Sequence, residues 1–201
     1  MIYHNGGETV TDIIKQRAQI LNPDEYERMR EHLNPRHRLI FDGMLFTGMR
    51  MTEFWRFVAN PQWFHQERQY IELPPGSILK VKAKQKERSV MLSNIGTRAI
   101  TDLVSAIKRK EIEYITPAGW RQNLVRAAIN ANIELRGITP KMLRKVWVSW
   151  LMATYPEDGL RIASSAGHDI RTMQDHYLSL PFSQTERERI RFYVIGWGGR
   201  N

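Results

Sequence analysis

The chain has no cysteine. That excludes a disulfide framework and any thiolate metal site. No apolar run approaches the roughly 18 residues that a membrane-crossing helix needs. The N-terminal stretch MIYHNGGETV has no basic segment followed by an apolar one, so it does not read as a secretory signal. Internal repeats and low-complexity linkers are also missing. Acidic residues are the scarcer charge, 21 against 30 Lys and Arg, which leaves a formal net charge of +9. An excess of that size favours a polyanion as partner, with nucleic acid ahead of a membrane surface. On charge alone, a merely basic soluble protein is the alternative. Hydrophobic residues make up 42% of the 201 positions, enough for a real core in a single domain with at most a small appendage.

Most of what is present reads as helix. Thr11 is placed to cap a first helix with Ile13, Ile14, Ile20 and Leu21 on its inner side. Asn22-Pro23 and Asn34-Pro35 each read as a cap followed by proline in the first turn. The segment HRLIFDGMLF is strongly apolar and central, and it ends near Gly48. Arg50 opens the next helix, which ends at Asn60-Pro61. From Glu67 the period changes to two. Tyr70–Leu73, Ile78–Lys82 and Arg88–Leu92 read as three short strands with turns at Pro74-Pro75-Gly76 and Lys84–Glu87. Helices then resume from Ser93 or Asn94, from Thr116-Pro117, from Thr139-Pro140 and over about Gln184–Tyr193. The expected fold is α+β, mainly α-helical with a small three-stranded antiparallel sheet.

Several polar groups stand out, each with a plainer reading beside it. Arg50 lies just after a helix-ending glycine, and Glu53 shares its helical face. That pair orients the arginine or is an exposed ion pair of small value. Lys80, Lys82, Lys84, Lys86 and Arg88 make a basic run. Lysines of this kind either keep an edge strand from pairing or enter a DNA groove. Lys141 and Arg144 share one face at the start of a helix, where two cations oppose the helix dipole. They are solvated charges or the floor of an anion site. His168 follows Gly167, and Tyr177 comes nine residues later. Arg forks phosphate oxygens, His exchanges a proton near neutral pH, and Tyr can attack phosphorus.

In order, TGMRMTE, a lysine hairpin ending in ERSVMLS, TPKMLRK, AGH and HYL resemble the tyrosine recombinase (phage integrase) family over about residues 22–180. The overall character is closer to integrases of archaeal viruses and plasmids. The resemblance implies the catalytic-domain fold of these DNA breaking-rejoining enzymes. It implies site-specific recombination through a 3′-phosphotyrosine, without metal, ATP or other cofactor.

The implied catalytic set is Arg50, Lys84, Lys141, Arg144, His168 and Tyr177. Lys80, Lys82, Lys86 and Arg88 are implied to contact DNA. Lys141 falls where the family usually carries His. For the hairpin lysine, strand parity favours Lys84, then Lys82, then Lys86. Double-stranded DNA is the implied partner, held by a homotetramer, with a monomer or weak oligomer when free, in a prokaryotic cytoplasm. Residues 1–21 form a lead, and the additional helical DNA-gripping domain of full members is expected to be missing. Residues 181–201 form a C-terminal helix and tail that either docks on a neighbouring protomer or packs in cis. Two other activities stand beside recombination: nicking-closing of the topoisomerase IB kind, and non-catalytic DNA binding on the same fold.

Overall fold

The computed structural model describes residues 13–15, 18–75, 87–168 and 182–199, with side chains from Ile20 onward. Strands β1 (Ile13–Lys15) and β2 (Ala18–Ile20) pair antiparallel, with Ile13 opposite Ile20. This hairpin stands where the sequence suggests a helix capped by Thr11. Its isoleucines are β-branched and suit a strand. Strand β2 lies against the sixth helix, and the Trp150 indole N–H donates to the Leu21 carbonyl at 2.9 Å. Tertiary contacts thus override a weak local signal.

The helical part follows the caps. Helix α1 (Pro23–Glu31) begins with a capping box: Asn22 accepts from the Glu25 amide, and Glu25 accepts from the Asn22 amide. Helix α2 (Pro35–Thr47) starts at Asn34, whose side chain accepts from the His37 amide. Every residue of α2 from Ile40 to Thr47 is buried, as expected of a helix apolar all round. It packs on α4 (Asn94–Lys108) and α6 (Pro140–Thr154). Asp42, in the middle of α2, is buried but satisfied by the Arg30 Nε and the Tyr26 hydroxyl. Helix α5 (Pro117–Asn130) is capped by Thr116 and lies against α1 and α6.

Helix α3 (Met51–Ala59) leads to a three-stranded antiparallel sheet in the order β3 (Phe64–His65), β4 (Tyr70–Leu73), β5 (Arg88–Met91). The outer strand on the β3 side is thus Phe64–His65. Two residues are too few to show a period, and Phe64 pairs with Ile71. The strand expected at Ile78–Lys82 lies outside the described residues. Strands β4 and β5 pair with Leu73 opposite Arg88 and Ile71 opposite Val90.

Helix α7 (Gly159–Ala166) packs on β5, and α8 (Gln184–Val194) packs on α6 and α4. Ile190, Tyr193, Val194 and Trp197 are buried against the chain's own core, whereas Phe192 and Ile195 are exposed. The inner side of the C-terminal segment therefore packs in cis. Among the described residues no helix is long and apolar enough to cross a membrane.

Candidate active site

Three arginines from three elements meet around one carboxylate. Arg50 is the N-cap residue of α3, placed there because Gly48 ends α2 in the left-handed conformation, with φ of 57°. The Arg50 amide donates to Glu53 Oε2 at 2.7 Å, and its Nη1 donates to Oε1 at 2.9 Å. The Glu53 side chain is 0% exposed. It is therefore not the exposed partner that one sequence reading allowed. Arg88 Nη2 donates to Oε2 at 2.8 Å, and Arg144 Nη1 stands 3.9 Å from the same oxygen. Burial pushes the Glu53 carboxyl up. Arg88, the Arg50 amide and guanidinium, and Arg144 outweigh it and hold the group below the usual carboxylate range.

The turn after α7 completes the arrangement. Gly167 has φ of 64°, and its carbonyl accepts from Arg50 Nη2 at 3.3 Å and from Arg144 Nη2 at 3.2 Å. Two guanidinium groups 94 residues apart in sequence are thereby brought to one point. Arg144 Nη1 also donates to the Gly48 carbonyl at 3.1 Å, and Arg144 Nε donates to His168 Nε2 at 2.9 Å. A guanidinium only donates, so His168 carries its ring proton on Nδ1. Burial and then Arg144, Arg50, Arg88 and Lys145 push the imidazole down to about 3. It is therefore neutral across the physiological range.

Of the residues singled out by sequence, Arg50, Arg144 and His168 are brought together. Lys141 stands exposed on the first turn of α6. Lys145, four residues on and half-buried, is the lysine whose charge reaches His168. Burial, and then Lys141, hold its pKa below the ordinary value. Sequence reading passed over Lys145, although its i, i+4 spacing from Lys141 puts the two on one face.

Arg88, implied by the resemblance to contact DNA, points inward, with a side chain 6% exposed. Its phase with Val90 and Leu92, both buried, was the available signal. Lys80, Lys82, Lys84, Lys86 and Tyr177 lie outside the described residues. Among the described residues no cluster of three His, Cys, Asp or Glu side chains could hold a metal ion.

No protein-family model matches the chain, and no curated protein matches it by sequence. Solved structures do. The XerA recombinase matches with a TM-score of 0.59 at 16% identity, over 94% of this chain and 66% of that one. The XerH site-specific recombinase matches in two complexes. Bound to difH substrate before cleavage, it gives a TM-score of 0.57 at 19% identity over 77% of this chain and 48% of that one. Bound to palindromic difH after cleavage, it gives 0.59 at 18% over 89% and 52%. The fold is that of a tyrosine recombinase catalytic domain. The chain spans about half to two thirds of the recombinases it matches. At these identities the likeness is one of fold. Within the tyrosine recombinase fold, Arg50, Arg144 and His168 come from the α2–α3 junction, the first half of α6 and the turn after α7.

Proposed function

We propose that this chain cleaves and rejoins double-stranded DNA as a site-specific recombinase, through a 3′-phosphotyrosine formed by Tyr177. The observation that carries this reading is the convergence of Arg50 and Arg144 on the Gly167 carbonyl, with His168 beside them. Two forked cations a few ångströms apart suit the two non-bridging oxygens of a phosphodiester. The surplus of positive charge over the single Glu53 carboxylate leaves the site short of an anion.

In the proposed reaction the Tyr177 hydroxyl gives its proton to solvent, its oxygen attacks phosphorus, and the bond from phosphorus to O5′ breaks. The leaving oxygen takes a proton, for which Lys84 is the candidate acid. Arg50 and Arg144 stabilise the charge that develops on the phosphoryl oxygens. His168, neutral and accepting from Arg144 Nε, holds that guanidinium in place rather than acting as an imidazolium. Lys141 adds positive charge at the rim. Attack by a 5′-hydroxyl from another duplex then gives strand exchange, on a tetramer of this chain. The narrower likeness to integrases of archaeal viruses and plasmids belongs to the same reading.

A nicked suicide DNA duplex tests it. A covalent protein–DNA adduct is expected, absent in Tyr177→Phe and slowed roughly a hundredfold or more in Arg144→Ala. DNA binding with no adduct under any condition would reduce the protein to a binder. Relaxation of plasmid lacking any defined site would instead favour nicking-closing.

A further inference from the structure

Arg88 has no part in the phosphate site just described, yet it is among the most enclosed charges in the molecule. Its Nη2 donates to Glu53 Oε2 at 2.8 Å and its Nη1 to the Ser165 carbonyl at 3.1 Å. Its guanidinium lies close against Gly167, where an added Cβ would come within 2.4 Å of Nη1. Its Nε is buried with no hydrogen-bond partner among the described residues. A buried guanidinium with an unsatisfied donor costs free energy that an apolar side chain would not. Its presence here calls for a reason beyond packing.

The reason lies at Glu53 Oε2. Arg88 holds that oxygen at 2.8 Å, while Arg144 stands 3.9 Å from it. In a site closed to water, attraction between a carboxylate and a guanidinium is strong and poorly screened. Because Arg88 already occupies Oε2, Arg144 directs its donors to Gly48, Gly167 and His168. If Arg88 were removed, that oxygen would keep the Arg50 amide but lose its guanidinium, and Arg144, 3.9 Å away, would be drawn onto it. Moving onto Glu53 would take its Nε away from His168 and its fork away from the phosphate position.

We propose that Arg88 is a positioning residue, which occupies Glu53 Oε2 and so keeps Arg144 turned toward His168 and Gly167. Its consequence for reactivity rests on the phosphodiester reading above; the positional claim does not.

The test uses the full chain and two readouts. The first is the His168 tautomer, read without DNA from long-range ¹⁵N correlations of the imidazole. The wild type shows Nδ1–H. Arg88→Met is expected to lose that single tautomer, and Arg88→Met with Glu53→Gln to regain it, because the carboxylate that draws Arg144 is gone. Arg88→Lys keeps a cation on Oε2 and should retain the wild-type tautomer. If Arg88→Met does not fold, Arg88→Gln, which removes the charge and keeps a polar side chain, takes its place in both comparisons.

The second readout is adduct formation on the nicked duplex. Arg88→Met should be slowed about a hundredfold, the scale of losing one transition-state donor, and Glu53→Gln should recover at least about tenfold of that. A merely structural Arg88 would give no such rescue. The proposal is overturned if Arg88→Met keeps the tautomer, if Glu53→Gln restores neither readout, or if Arg88→Lys behaves as Arg88→Met. A wild type that forms no adduct sinks the phosphodiester reading, and the tautomer comparison still decides the role of Arg88.

Discussion

The Nε of Arg144 donates to the Nε2 of His168 across 2.9 Å, which fixes one tautomer and denies the ring its second proton. From an ordinary value of 6.5 the imidazole is pushed down to about 3, by burial first and then by Arg144, Arg50, Arg88 and Lys145.

The first prediction is a pH dependence. Between pH 6.5 and about 3 the unfolded chain takes up a proton on His168 that the folded chain refuses. Stability from this group is therefore complete above 6.5 and is lost as pH falls toward 3. Melting temperatures of wild type and His168→Gln, followed across that window, should converge as pH drops. An NMR titration should show the ring neutral at pH 5.

Removing Glu53 strands three guanidinium groups. Glu53→Ala should cost about 3–5 kcal/mol, the usual penalty for breaking a buried ion pair from one side. Urea denaturation measures it. The exposed pair Arg109–Glu111 supplies the control, and Glu111→Ala should leave the midpoint unchanged. Glu53 is held below the usual carboxylate range, so its contribution is lost only as pH falls through that depressed value.

Gly167→Ala meets two obstacles at once, the positive φ of 64° and the approach of Arg88 Nη1. The left-handed backbone alone costs an L-residue about 1–2 kcal/mol. A chain of this size should lose about 2–4 °C in Tm for each kcal/mol. Calorimetry reads that loss. Because the Gly167 carbonyl holds both Arg50 and Arg144, adduct formation should fall further than stability does.

The C-terminal segment is core. Trp197 is fully buried and its indole N–H donates to the Met91 carbonyl at 3.1 Å. Trp197→Ala should cost about 3–5 kcal/mol in urea denaturation. A chain ended after Leu180 also loses Ile190, Tyr193 and Val194, worth roughly 1.5–3 kcal/mol for each fully buried side chain. That sum reaches the whole stability of an ordinary domain. Light scattering should show the truncated chain aggregating.

Helix starts were legible because caps are local. Asn22, Asn34, Ser93 and Thr116 each accept a backbone N–H within three residues, so a short window contains the signal. The β1–β2 hairpin was not legible, since its packing depends on α6, more than a hundred residues away. Arg50, Arg144 and His168 could be singled out by residue type and order. The roles of Glu53 and Arg88 could not, because they depend on which charges face each other once β5 lies against α7. For Arg88, the phase it shares with buried Val90 and Leu92 was the local sign of its burial.

Trp197 closes over the main-chain carbonyl of Met91, at the end of the strand that begins with Arg88. The last turn of the chain thus seals the strand that steadies the arginines. During synthesis, a polypeptide grown only as far as Thr154 already carries Arg50, Glu53, Arg88 and Arg144, but not the Gly167 carbonyl that gathers two of them. Contacts spanning more than a hundred residues close late and slowly. Until Gly167 has been made and docked, the arginines are present but nothing draws Arg50 and Arg144 to one point.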